Sequence, residues 1–68
     1  MKVISGKKLC KILEKKGWSL VRIQGSHFIY GRSDNEKLIV VPVHGNKDLN
    51  PGLLMSIMKI ANIVENDL

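Results

Sequence analysis

Residues 18–32 read Trp18-Ser19-Leu20-Val21-Arg22-Ile23-Gln24-Gly25-Ser26-His27-Phe28-Ile29-Tyr30-Gly31-Arg32, and the fold turns on how they are divided. Trp18–Gln24 is rich in large and β-branched residues, which suit a pleated, half-buried strand. Gly25-Ser26 is a turn signal, and His27–Arg32 resumes with Phe28, Ile29 and Tyr30. A polar loop, Ser33–Glu36, leads into a third strand-like run, Lys37–Val43, with Pro42 near its end. Connections this short predict consecutive antiparallel hairpins.

Helical patterns lie on either side. From Ser5 to Lys16, Leu9, Ile12 and Leu13 recur at helical spacing, with Ser5 placed to cap the start. Gly17 follows, where a left-handed residue ends a helix, and Lys15 and Lys16 fall in the last turn, where positive charge suits the dipole. The second pattern runs from Pro51 to Glu65. Asn50 is the expected cap, Pro51 takes the first helical position, and Leu53, Leu54, Ile57, Ile60, Ala61 and Val64 form a wide apolar stripe. Such a stripe must lie on the sheet. The expectation is an α+β two-layer sandwich of order α-β-β-β-α, a three-stranded antiparallel sheet with both helices on one face. Double-stranded-RNA-binding domains share this topology.

The chain has 68 residues, so a single domain spanning 1–68 is expected. It contains no repeat, no long apolar run and no signal-like N-terminus, so no membrane association is expected and the cytoplasm is the simplest setting. The lone Cys10 cannot form an intramolecular disulfide or a cysteine-based zinc site and is expected to pack as a small hydrophobe. Charge is unevenly spread. Eight basic residues against one acid give residues 1–32 a charge of +7, and three lysines against five acids give residues 33–68 a charge of −2. That asymmetry suits a polyanion bound by one face.

His27 is the candidate catalytic residue. Histidine as a residue type can take or give a proton near neutral pH, and Gly25 nearby lets the backbone turn and a bulky ligand approach. RNA cleavage needs little more, because the 2′-hydroxyl is the nucleophile and a nearby cation can stabilise the phosphorane. The bland alternative is an ordinary turn histidine. His44 is a possible second acid–base group or a loop-shaping residue. Arg22 interrupts an apolar strand and is expected to point from the open sheet face towards RNA or an acidic partner. Lys7, Lys8 and Lys11 share one helix side and offer phosphate contacts that give affinity without sequence choice, or else form a solvated face. Among Trp18, Phe28 and Tyr30, all expected in the core, Tyr30 is the one whose hydroxyl could draw it towards bases. Two histidines without HxH or HExxH spacing make a poor metal site, so no metal and no small-molecule cofactor are expected.

Gly17-Trp18, Arg22, Gly25-Ser26-His27, the Pro42-x-His44 step, and Leu49, Gly52, Leu54, Ile57 and Ala61 together resemble the HicA family of bacterial and archaeal toxin–antitoxin systems, across essentially the whole chain. The resemblance implies a double-stranded-RNA-binding-like fold and a metal-independent endoribonuclease acting on mRNA. It also implies a HicB-type antitoxin that covers the active site, and His27 as the catalytic histidine. Phe28 stands where many relatives carry a second histidine, which points to a lone catalytic histidine, and Asn62 stands where glycine is common. Two other roles fit the same residues. One is a non-catalytic RNA-binding module. The other is a protein that mainly binds its antitoxin and regulates their operon, for which an open basic face predicts an acidic or RNA-mimicking partner surface.

Overall fold

In a computed structural model, which describes residues 3–68, the chain runs α1 (Gly6–Lys15), β1 (Ser19–Gln24), β2 (His27–Arg32), β3 (Asn35–Pro42) and α2 (Pro51–Ala61), then a 3-10 turn, Glu65–Asp67. The expected α+β order is the one observed. β2 lies between β1 and β3, both antiparallel to it.

The helix ends follow their sequence signals. Ser5 Oγ accepts the Lys8 amide at 3.2 Å, and Asn50 Oδ1 accepts the Gly52 amide at 2.8 Å. Gly17, with φ +94, ends α1 as expected. α2 stops four residues before the expected Glu65. Asn62 adopts a left-handed conformation (φ 56), which asparagine tolerates better than most residues, and the chain leaves the helix there. Val64, expected in the apolar stripe, is consequently exposed. The expected loop Ser33–Glu36 is also shorter. Arg32 pairs with Asn35, leaving a two-residue turn, so β3 starts at Asn35.

Both helices cover one sheet face. Leu9 and Leu13 of α1 and Leu54 and Ile57 of α2 join Tyr30, Ile39 and Val41 in one buried cluster, with Phe28 packed against it. Trp18 and Cys10 are buried in the same cluster. Strand residues alternate between faces, so His27, Ile29 and Gly31 of β2 and Leu38 and Val40 of β3 belong to the opposite, helix-free face. Tyr30 is 1% exposed, and its hydroxyl donates to Glu14 Oε2 at 3.0 Å. It is a core residue, not a surface for bases.

Two contacts fix α1 on the sheet. A Cβ at Gly6 would run into the Pro42 carbonyl oxygen, so only glycine lets the start of α1 lie this close to the end of β3. At the other end, Arg32 donates to Lys16 O at 2.9 Å and grips both Asp34 carboxylate oxygens at 2.9 and 3.0 Å, with its guanidinium 5.8 Å from the Trp18 ring centre. α1 therefore runs from the His27 end of the sheet to the Arg32 end.

Candidate functional site

The β1–β2 hairpin has a two-residue turn, with Gln24 opposite His27. Gly25 takes φ +59 at its first central position, the conformation for which a two-residue hairpin of this type requires glycine. A Cβ there would meet nothing within 4 Å, so the space outside the turn is open. His27 follows immediately, exposed, at the first position of β2. Across the sheet His27 pairs with Pro42, and the Val43 amide donates to Ser26 O at 2.8 Å. His44, also exposed, is two residues beyond Pro42, so both histidines occupy one end of the sheet.

Arg22 reaches the helix-free face through a β-bulge. Leu20 pairs with Tyr30 and Arg22 with Ile29, leaving Val21 as the extra residue. Strict alternation from the core-facing Leu20 would turn Arg22 towards the helices. The bulge resets the phase and sets Arg22 beside Ile29, on the side that His27 shares. Arg22 and His27 are diagonal neighbours on adjacent strands, a relation that spans roughly 7–8 Å.

Lys7, Lys8 and Lys11 are exposed on α1, in the opposite layer. The structure therefore does not bring the three lysines and Arg22 onto one flat surface. What unites them is the end of the molecule. α1 begins against Pro42, the cross-strand partner of His27, so its first turn, with Lys7 and Lys8, sits at the His27 end, and Lys11 is one turn further away. That first turn holds no acid, although negative charge is what a helix start favours. Two cations there come at a local cost and leave the helix start strongly electropositive.

The expected open basic face is not basic. Apart from Arg22 and the His27 edge, its centre is aliphatic: Val21, Ile29, Leu38 and Val40. Two of the eight basic residues in the N-terminal half are also committed elsewhere. Arg32 grips Asp34, and Lys16 Nζ lies 3.1 Å from Asp67 Oδ2. Composition alone missed Lys47. The turn His44–Lys47 closes with the Lys47 amide donating to His44 O at 3.0 Å, and both side chains line a 250 Å³ cleft with Pro42, Asp48, Leu49, Asn50 and Leu53. The signal was the lone lysine of the short His44-Gly45-Asn46-Lys47 turn.

Two groups whose proton affinity burial raises lie away from this end. Burial, above all, pushes the Cys10 thiol and the Tyr30 hydroxyl up from their ordinary values, and the Tyr30 bond to Glu14 adds to its shift. Neither group is placed to do chemistry at His27. Among the described residues no three His, Cys, Asp or Glu side chains gather in a way that could hold a metal ion. No helix of the described residues is long and apolar enough to cross a membrane.

A family model, HicA toxin of bacterial toxin–antitoxin, matches residues 6–63. The chain belongs to the HicA toxin family. Among curated proteins no significant match was found. Membership brings a toxin role within a toxin–antitoxin system, and with it an antitoxin partner. The match starts at Gly6, the residue that lets α1 meet β3, and covers every strand and both helices of this HicA-family chain.

Proposed function

We propose that this HicA-family chain, as a single domain over residues 1–68, is a metal-independent endoribonuclease that cleaves mRNA in the cytoplasm and is neutralised by a HicB-type antitoxin. His27 is the catalytic acid–base. It removes the 2′-hydroxyl proton, the 2′-oxygen attacks the adjacent phosphorus, and the 5′-oxygen leaves with a proton. The products are a 2′,3′-cyclic phosphate and a 5′-hydroxyl. Arg22 stabilises the extra negative charge that the phosphorane carries. Gly25 and Ser26 leave room for the RNA backbone. Lys7, Lys8 and Lys11 hold flanking phosphates, and His44 is the second group able to move a proton.

One observation carries this reading: His27 and Arg22 are diagonal neighbours on one sheet face, beside an open turn, with a strongly cationic helix start at the same end. A proton carrier and a fixed cation within reach of one phosphodiester are what this chemistry requires. The deciding experiment incubates purified chain with RNA in the presence of chelator and assays for 2′,3′-cyclic phosphate ends, alongside His27→Ala. Cleavage by the wild type and not by the variant supports the reading. Equal cleavage by both removes His27 from the mechanism, and RNA binding without product would make the chain a non-catalytic RNA-binding module.

A further inference from the structure

The segment between β3 and α2 is fastened at both ends. At its start the Val43 amide donates to Ser26 O, in the β1–β2 turn, at 2.8 Å. At its end the Leu49 amide donates to Ile4 O at 2.8 Å, and Asp48 forms a backbone bridge with Ser5. Between these ties Gly45 takes φ +58, and the chain folds back until the Lys47 amide reaches His44 O. The 250 Å³ cleft against this turn combines apolar surface from Pro42, Leu49 and Leu53 with the polar groups of His44, Lys47 and Asp48. Neither charge is used inside the protein. Among the described residues Lys47 and Asp48 have no ion-pair partner, not even each other. Pro42 is also the cross-strand partner of His27, so the cleft opens beside the candidate catalytic residue.

We propose that this cleft is a base-binding subsite that selects guanine next to the bond to be cut, with Asp48 reading the base, a role in cleavage that rests on the proposed nuclease function. Its volume falls below the about 300–1,000 Å³ of sites that enclose drug-sized ligands, so it takes one ring system and not a stretch of strand. Apolar surface with a few polar groups suits a base, whose faces shed water while its edges hydrogen-bond, and His44 offers a flat ring for stacking. The two charges then choose among bases. A carboxylate can only accept, and it is best satisfied by two adjacent donors. Guanine alone carries two adjacent donors on its pairing edge, N1–H and the 2-amino group. Adenine and cytosine place a ring acceptor beside their amino group, and uracil sets its single N–H between two carbonyls, so each of them turns an acceptor towards a carboxylate. Lys47 can only donate, which suits the O6 and N7 acceptors of guanine. A phosphate in the cleft would suit Lys47 but be repelled by Asp48.

The test uses short RNAs alike but for one nucleotide, G, inosine, A, C or U, placed on either side of a single cleavable step. The base of inosine is guanine without its 2-amino group. Binding to the His27→Ala chain is measured by fluorescence anisotropy, and cleavage by the wild type is measured separately. On one side of the step, G is expected to bind about 10-fold or more tighter than inosine, the loss of one hydrogen bond to a charged group. Asp48→Asn in the His27→Ala chain is expected to erase that difference. Lys47→Ala is expected to weaken the G and inosine RNAs alike, since both keep O6 and N7. Both side chains are exposed, and circular dichroism checks that each variant is folded. Equal binding of G and inosine on both sides of the step overturns the inference, and so does a preference for G that survives Asp48→Asn. If the wild type cleaves while G and inosine bind alike, the subsite falls and the nuclease reading stands. If a preference for G depends on Asp48 while the wild type leaves RNA uncut, the nuclease reading fails and the base-binding cleft stands.

Discussion

The hydroxyl of Tyr30, a residue 1% exposed, donates to the exposed Glu14 carboxylate across the α1–β2 interface at 3.0 Å. The chain has one tyrosine, so absorbance reports this group alone. Its pKa is raised by burial first and by its hydrogen bonds second. Tyrosine in the unfolded chain ionises near about pH 10. The native state holds its proton more tightly, so the stabilisation is complete below that pH and is lost as pH rises above it. Alkaline titration is expected to show no phenolate signal until the protein unfolds. Smooth ionisation near about pH 10 in folded protein, by absorbance alongside circular dichroism, would contradict this.

The same pair sets an asymmetry between two substitutions. Glu14→Ala strands a buried hydroxyl and is expected to cost about 1–3 kcal/mol, whereas Tyr30→Phe frees a carboxylate that water can solvate and is expected to cost less. Urea unfolding followed by the fluorescence of the single Trp18 checks the order.

Gly6→Ala is expected to destabilise by about 1–3 kcal/mol or more, although alanine is ordinarily the better helix former. The added methyl meets the Pro42 carbonyl, and backbone must move to admit it. Gly25→Ala meets open space and bears only the strain of its φ of +59, about 1 kcal/mol. Thermal unfolding of the two variants ranks them. If Gly6→Ala proves the milder, the close approach of α1 to β3 is wrong.

In RNA cleavage, His27→Ala is expected to lower kcat about 100- to 10,000-fold with the fold intact, because the side chain is exposed and supports no packing. Arg22→Ala is expected to lower it about 100-fold, with Arg22→Lys recovering part of the activity. Single-turnover kinetics separate these effects from RNA affinity.

Replacing Lys7, Lys8 and Lys11 with alanine is expected to act on affinity alone. The slope of log affinity against log salt is expected to fall by about 0.7–0.9 for each phosphate that the lysines no longer neutralise, with the cleavage rate at saturating RNA unchanged. An unchanged slope would return these lysines to the role of a solvated face.

Much of the architecture was legible because it is written in local patterns. The caps at Ser5 and Asn50, the left-handed Gly17, and the Gly25-Ser26 turn each act within a few residues, and all are where the sequence places them. The helix spacing of Lys7, Lys8 and Lys11 groups them about the α1 axis, and all three are exposed. Such spacing gives an angle about one axis and not which layer that side faces, so their separation from Arg22 was hidden. The nearness of Gly6 to Pro42 joins residues far apart in sequence and leaves no local mark. α2 ends before the sequence pattern does, because an apolar Val64 keeps helical spacing whereas the backbone conformation of Asn62 decides the matter. Of the site, His27 was visible as a titratable residue beside a glycine turn. Lys47 was not, because its cleft forms only when the post-β3 loop folds back.

The bulge at Val21 makes the position of Arg22 a matter of counting as well as chemistry. Remove one residue from β1 and the arginine is still encoded, still charged and still in a strand, yet it turns to the wrong side of the sheet. A one-codon deletion there would move the arginine off the face it shares with His27, while many substitutions of Val21 would leave its aim intact. For this strand, length decides which face the arginine serves, and a residue-by-residue comparison of side chains alone would overlook it.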